Sequence, residues 1–476
     1  MAYWGTIRGV SDPMPIRSFG GVYKPDDEGF GLPDNLFTEL INFSPDEYPA
    51  ITTRPGYYVI GKFGTRVTGL GAWKGERLLA SFNDGTWRTW DGSSWSAPVY
   101  TFGSSDPDTI NADWSFANFK GNLPGINLFG VCSAGSFGLI RYDGSSGTLV
   151  TAAPSGARYI TTHSNRLYCA VNNTLHYSAL SEYDDWTTVD DAGELPVNTA
   201  DGETINGISA GNGHVTVFKP SSIFEVYGKG PQSYAMDQIA GDIGVTGNKA
   251  VVTFDETLPF VGRDGVYRYS GGVRPSKDYS VPIQQFINGA NKSRLSECVA
   301  GNDGKYLYFG IPYGSSGQNS RILQFDPIHQ AWYTWDGIAV TQMLRIGDKM
   351  YFGDASGRVL QLGGDTDNGT KIVSTAITKP FTAGSISRKQ HWFRIWVVAS
   401  LTTGSSLQIY ISPKASGEEW TALAPITATS DIQYKEILVP TNKVAAANAV
   451  RLKLVLTGRG TIHELCYQMR NLPMRR

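Results

Sequence analysis

Cysteine is scarce in this chain, with four among 476 residues. Cys132, Cys169, Cys298 and Cys466 lie far apart, and no C-x-x-C pair occurs. This excludes a disulfide-dense scaffold and the common thiolate zinc motifs. Cys132 and Cys169 sit in apolar β-type runs and read as buried thiols, so synthesis in a reducing cytoplasm is expected. Charge is sparse too: Asp, Glu, Lys and Arg make up 18% of the chain, against about a quarter in ordinary globular domains. No apolar run approaches the roughly 20 residues of a membrane span. The opening, Met1-Ala2-Tyr3-Trp4, lacks a basic-then-apolar signal, so neither export by a standard leader nor a membrane span is expected. None of the six histidines has a second His at metal-ligand spacing. No Gly-rich phosphate loop leads into a helix, and no G-x-S-x-G elbow is present.

Glycine is plentiful, at 55 residues, and aromatics make up 12%. One phrase recurs, in which a β-type run meets an Asp-Gly or Gly-Asp turn and a second run follows. It appears at Asp84-Gly85, Asp91-Gly92, Asp143-Gly144, Asp264-Gly265, Asp303-Gly304, Asp336-Gly337 and Gly347-Asp348. Asp-Gly supplies the positive φ of tight hairpins. Hairpins returning every ~20–50 residues imply a repeat array. The units are Thr68–Trp95, Trp114–Gly144, Tyr159–Leu180, Ile205–Gly228, Ala250–Gly271, Leu295–Asp336 and Val340–Leu362. The expected fold is all-β, with a six- or seven-bladed β-propeller over residues 51–364. The run Ile51–Ile60 is expected to complete the last blade and close the ring. From residue 370 to 476 long alternating strands without Asp-Gly turns predict a C-terminal β-sandwich. Residues 1–50 read as an irregular N-terminal arm, with a short helix near Asp34 to Asn42 placing Leu36, Phe37 and Leu40 on one face.

Net charge is −2 but unevenly spread. Residues 1–55 carry four basic and eight acidic groups, residues 371–476 fourteen and five, and the remainder 23 and 30. A basic C-terminal part implies an acidic partner surface.

Candidate sites are few. Ser81–Trp87 resembles the Asp-box of sialidases, but its Asp stands one position late and the box occurs once. Glycosidases need two placed carboxylates, and none are evident. The acids from Glu182 to Glu194, and Asp365-x-Asp367-Asn368-Gly369, are weak calcium candidates better read as solvated loops. The basic and aromatic run Arg388–Arg394 reads as an exposed strand start rather than a nucleic-acid platform. The reading is non-enzymatic, with no cofactor and no metal.

The order of segments adds a resemblance. An arm leads into Asn42-Phe43-Ser44-Pro45-Asp46-Glu47-Tyr48-Pro49-Ala50-Ile51-Thr52-Thr53-Arg54-Pro55-Gly56-Tyr57. There follow His163–Tyr168, Leu175–Leu180, Tyr183-Asp184-Asp185-Trp186, Ser221–Tyr227 and Gly262–Tyr269. This series resembles the phage tail hub or nozzle proteins, also called packaged-DNA stabilisation proteins. The resemblance implies a homohexameric ring below the portal and adaptor in the virion tail. It implies a conduit for genome retention and DNA ejection, without catalysis and without specific DNA binding. The alternative is a receptor- or glycan-binding propeller at the tail tip, using Trp87, Trp90 and Trp95 for stacking. Subunit contacts are expected from arm aromatics Trp4, Phe19, Tyr23 and Phe30, and from Arg451 and Lys453 on one strand face. Arm truncation is expected to leave the propeller folded but block assembly.

Overall fold

The computed structural model describes residues 11–27, 29–382, 384–428, 432–439 and 444–472. The chain is all-β, with only short helical turns between strands among the described residues. Residues 67–362 form small antiparallel sheets in chain order. The first holds Val67–Trp73, Arg77–Phe82, Thr86–Trp90 and Tyr100–Thr101. The second runs from Trp114–Phe119 to Gly147–Val150, the third from Tyr159–His163 to Gly193–Pro196, and the fourth from Gly207–Ala210 to Ala235–Ala240. The fifth is reduced to Phe260–Val261 and Val266–Tyr267. The sixth starts at Val299–Asn302 and the seventh at Val340–Ile346.

The first strands of neighbouring sheets adjoin. Val67–Trp73 meets Trp114–Phe119, which meets Tyr159–His163, which meets Gly207–Ala210. The short turn Asn248–Ala250 then leads to Val299–Asn302, then Val340–Ile346, and so back to Val67–Trp73. The sheets thus form a closed ring, the arrangement of a β-propeller. Turn chemistry explains the local part. Asp91 and Asp143 each accept the backbone N–H groups of the two serines that follow their Asp-Gly pair. Gly144 has φ +109, and a Cβ there would strike the Trp73 ring.

Apolar clusters fill the spaces between sheets. Trp87, Trp114, Leu128 and Tyr142 join the first and second sheets. Tyr168, Leu175, Val217 and Phe224 join the third and fourth, and Tyr308, Trp335 and Phe352 the sixth and seventh. Closure is completed by Tyr57–Lys62, which pairs antiparallel with Arg358–Leu362 in the seventh sheet. The closing strand is therefore the second half of the expected run. Ile51–Thr53 pairs instead with Phe43–Ser44 and Gly460–Asn471.

The C-terminal part builds two further sheets. One contains Phe43–Ser44, Ile51–Thr53, Gly460–Asn471, Gln390–Leu401 and Ile432–Leu438, with Met14–Ile16 added on Gly460–Asn471. The other contains Phe37–Ile41, Val373–Thr378, Arg451–Thr457 and Ser406–Ser412. Their inner residues share one core, including Ile395, Val397, Ile409, Leu452, Leu454 and Ile462. The second sheet continues into the ring, because Phe37–Ile41 lies parallel to Ala331–Trp335, with Ile41 opposite Thr334. The same core cluster includes Phe260, Phe309 and Trp332 of the ring.

The N-terminal segment differs from expectation. It is neither irregular nor an outward arm from residue 11 onward. Three strands of residues 11–50 are built into its own chain. The expected helix near Asp34 to Asn42 is the strand Phe37–Ile41, between Val373–Thr378 and Ala331–Trp335. The register shifts between Phe37 and Glu39. That bulge lets Phe37, Thr38 and Leu40 all be buried, and so gives a strand the three-residue apolar spacing of a helix.

Candidate functional site

The described residues expected at subunit contacts are placed differently from one another. Trp4 lies outside the described residues. Phe19 is in the core of its own chain, stacked on Phe37 at 5.7 Å. Tyr23 is half-buried, and Phe30 is exposed. Arg451 is buried, contrary to its expected place on a free strand face. Its guanidinium donates to the carbonyls of Thr378 at 3.0 Å and Ala415 at 2.9 Å, and to Thr38 Oγ1 at 2.5 Å. Lys453 is half-buried, its Nζ 4.6 Å from the Tyr410 ring and 4.9 Å from the Trp420 ring. The alternation itself is as read, since Leu452, Leu454 and Leu456 face the core. The other face is covered by residues 410–420 of the same chain, which strand periodicity cannot reveal. Among the tryptophans considered for sugar stacking, Trp87 is fully buried. Trp90 and Trp95 pack on each other at 5.5 Å, and the Trp95 indole donates to the Ile60 carbonyl at 2.8 Å.

The charged residues inside the quoted motifs are buried polar knots. Arg54, in Arg54-Pro55-Gly56-Tyr57, is 1% exposed. It makes a two-pronged bond to Asp367, at 2.9 and 2.7 Å. Its Nε donates to Asn42 Oδ1 at 2.9 Å, and its plane lies over Trp335. Asn42 in turn donates to Asp336 Oδ1 at 2.6 Å. Four distant segments therefore meet at one guanidinium. The faint calcium loop is accounted for in the same way, with Asp367 engaged by Arg54 and Asn368 Oδ1 accepting from the Val59 N–H at 3.3 Å.

Arg166 repeats the pattern in the third sheet. It donates to Asp191 Oδ1 at 2.6 Å and to the Ser178 carbonyl at 2.7 Å. Glu225, in Ser221–Tyr227, is fully buried between the fourth and fifth sheets. It accepts from the hydroxyls of Tyr227 and Tyr269 and from the Gly272 N–H at 2.9 Å, and lies 3.1 Å from His214 Nε2. The charged members of these motifs carry no role that the motifs alone assign. The available signal was a lone charge in an otherwise apolar strand, Ile223-Phe224-Glu225-Val226-Tyr227.

The remaining constellation closes one end of the ring's centre. Arg66, Asp113 and Glu297 stand just before the first strands of the first, second and sixth sheets, and Lys249 lies in the turn Asn248–Ala250. Arg66 reaches Glu297 at 2.7 Å and Asp113 at 3.5 Å. Lys249 reaches Asp113 at 2.7 Å and Glu297 at 3.3 Å. Gln342 of the seventh sheet donates to Asp113 at 2.9 Å. Burial opposes charge on Arg66 and Glu297, yet their partners prevail. Asp113 and Glu297 hold the guanidinium above its ordinary value, and Lys249 and Arg66 hold the Glu297 carboxyl below the usual range. Beside this cluster is a cavity of about 120 Å³, lined by Ser115, Tyr159, Asn206, Asn248 and Lys249 among others, with room for a few waters at about 30 Å³ each. Each charge of the cluster faces two of opposite sign. The arrangement pins five parts of the ring together, and the Glu297 carboxyl is not poised to exchange a proton near neutrality.

No family model matches the chain, and no curated protein matches it in sequence. Part of it is similar in outline to solved propellers. Virginiamycin B lyase from Staphylococcus aureus is 10% identical, with 63% of this chain and 95% of that chain covered and a TM-score of 0.43. The WD40 β-propeller domain of Doa1 is 9% identical, covering 64% and 97%, at 0.43. BamB from Moraxella catarrhalis is 11% identical, covering 75% and 98%, at 0.40.

Proposed function

We propose that this chain is a non-enzymatic structural subunit of a bacteriophage tail, a nozzle or hub ring below the portal and adaptor. Each subunit is a seven-bladed propeller, its fifth blade reduced, fused to a C-terminal β-sandwich. The reading rests on the motif series that resembles that family. The observation that carries it is the Arg54 junction, where the family-like motif ties the N-terminal segment, the sixth blade and the link after the seventh into one rigid piece. A motif spent on rigidity suits a part that holds position rather than one that turns over substrate. Genomic DNA would pass through the centre of the assembled ring without specific binding. The ring and N-terminal segment carry excess acid, so few cations are offered to phosphate. Electron cryo-microscopy of the whole particle with this subunit labelled tests the proposal. A ring of copies on the tail axis is expected, and isolated copies away from the axis would overturn it.

A second reading, a glycan-binding propeller at the tail tip, has one observation in its favour. An open cleft of about 530 Å³ between the first and seventh sheets is lined by Trp73, Trp90, Tyr351, Glu76 and Asp348 among others. Two half-buried indoles beside carboxylates suit a saccharide. A glycan array with the isolated chain separates the two readings.

A further inference from the structure

The outer face of the sheet containing Ile432–Leu438 is apolar where solvent lies. Along this strand Ile432, Tyr434 and Leu438 are 65%, 67% and 68% exposed. The register sets Ser400, Val398 and Arg394 beside them on the neighbouring strand, and Trp396 beside Glu436. The strand is last in its sheet, so among the described residues its outer backbone edge has no strand partner. Proteins normally blunt such an edge, whereas this one adds three large apolar side chains.

The rim of that face is basic. Arg388, Lys389, Arg394 and Arg470 are exposed. Glu436 is engaged on the face itself, lying 3.4 Å from Arg394 and accepting from the Trp396 indole at 3.1 Å.

A surface of opposite character exists on the same chain. Between Arg166 and Lys219 there is no lysine or arginine, and there are eight acidic residues. Asp184, Asp190 and Glu194 are exposed along the connection to the outer strand of the third sheet. Leu180 and Val189 project from the same connection, 50% and 84% exposed. The C-terminal sheets are attached at the sixth sheet. Two sheets separate it from the third sheet in one direction round the ring and three in the other. The acidic loop and the basic face therefore lie on different parts of the subunit.

We propose that copies of this chain associate head to tail, the acidic loop 180–194 of one copy seating on the outer face of Ile432–Leu438 in the next. Apolar side chains on both surfaces form the centre of the contact, and the charged rims set its register. Because the two surfaces differ, the contact is heterologous and repeats from copy to copy until a ring closes. The proposal rests on the assembly reading above and adds which surfaces meet.

Sedimentation velocity of the full chain at low salt tests it. Two variants are used, D184K/D190K for the loop and I432D/Y434D for the face, all four residues being exposed. Each variant alone should sediment as a monomer, with association weakened at least about tenfold. Each keeps one intact surface, so mixing the two should give a dimer that grows no further. If the wild type assembles and both variants assemble equally well, the ring-subunit reading survives and this pairing of surfaces is overturned. If the variants fail to assemble but the mixture gives no dimer, the head-to-tail contact is likewise overturned. A wild type that stays monomeric at high concentration and low salt would overturn both.

Discussion

Arg54 shows what one side chain does in this protein. Its guanidinium is fully buried, with a two-pronged partner, an amide acceptor and carbonyls around it. Removing it leaves the Asp367 carboxylate, itself mostly buried, without its cationic partner. Arg54→Ala is expected to cost about 3–5 kcal/mol, the range for breaking one side of a buried ion pair. Arg54→Lys should recover little, since an ammonium cannot span both carboxylate oxygens. Chemical denaturation of the three forms measures this, and a loss below about 1 kcal/mol for Arg54→Ala, at the level of an exposed pair, would count against the knot.

Glu297 gives the pH counterpart. Its folded carboxyl lies below the ordinary range despite burial, because Lys249 and Arg66 face it. The unfolded chain thus takes up this proton more readily than the folded one. The stability it contributes is present in full above the ordinary glutamate value, about 4.3, and is lost as pH falls through the lowered folded value. Glu297→Gln should lower the melting temperature at pH 7 and flatten its fall below about pH 4.3. Parallel melting curves against pH for the two forms would remove Glu297 from the acid response.

At the scale of elements, legibility followed how local the determining interactions were. The inner hairpins of the ring's sheets were readable, because Asp-Gly turns and the strands beside them are specified within about ten residues of sequence, whereas the outer strands Tyr100–Thr101, Gly147–Val150, Gly193–Pro196 and Ala235–Ala240 lay outside the units and the Ala250–Gly271 unit holds only two short strands. Cys132 and Cys169 are buried as their apolar runs imply, and so are Cys298 and Cys466. Burial raises the Cys132 thiol to about 12. The N-terminal strands were not readable. They are two to five residues long, and their partners stand far away in sequence: Ile16 opposite Leu465, Leu40 opposite Ala376 and Ile51 opposite Ile462. No local pattern encodes such pairings, and the bulge at Phe37 imitated a helix. Likewise, burial of Arg451 depends on a loop more than 30 residues away. The expected effect of truncation changes accordingly. Removing residues 1–49 would take Phe37–Ile41 out of the middle of a sheet and remove Phe19, Leu40 and Phe43 from the core they help to fill. The truncated chain is expected to be insoluble or to lose its cooperative melt, rather than to remain folded and merely fail to assemble. A soluble product with a native-like near-ultraviolet circular dichroism spectrum would refute this.

For the whole molecule, the question is whether ring and C-terminal sheets are one folding unit or two. Elsewhere the ring is held by compact clusters, each between two neighbouring sheets. From the fourth to the sixth sheet there is no such separate cluster among the described residues. Phe218, Ile223, Tyr267, Phe309 and Leu323 belong to the same continuous core as Ile395, Leu407, Leu454 and Tyr467. The reduced fifth sheet offers little apolar surface of its own, and the shared core supplies what it lacks. One sheet also runs unbroken from Val299–Asn302 to Ser406–Ser412 through Phe37–Ile41. Separate bodies joined by a linker would melt independently, whereas bodies sharing a core and a hydrogen-bond ladder should melt together. Calorimetry of the intact chain is therefore expected to show one transition spanning both parts. A chain ending at Gly363 would lose the strands that flank Phe37–Ile41 on one side and much of the core around the fifth sheet. It should melt at lower temperature and bind a hydrophobic dye through the uncovered surface. Two resolved transitions in the intact chain, with the first absent and the second unchanged in the shortened one, would show instead that the ring stands alone and that the shared core adds nothing to it.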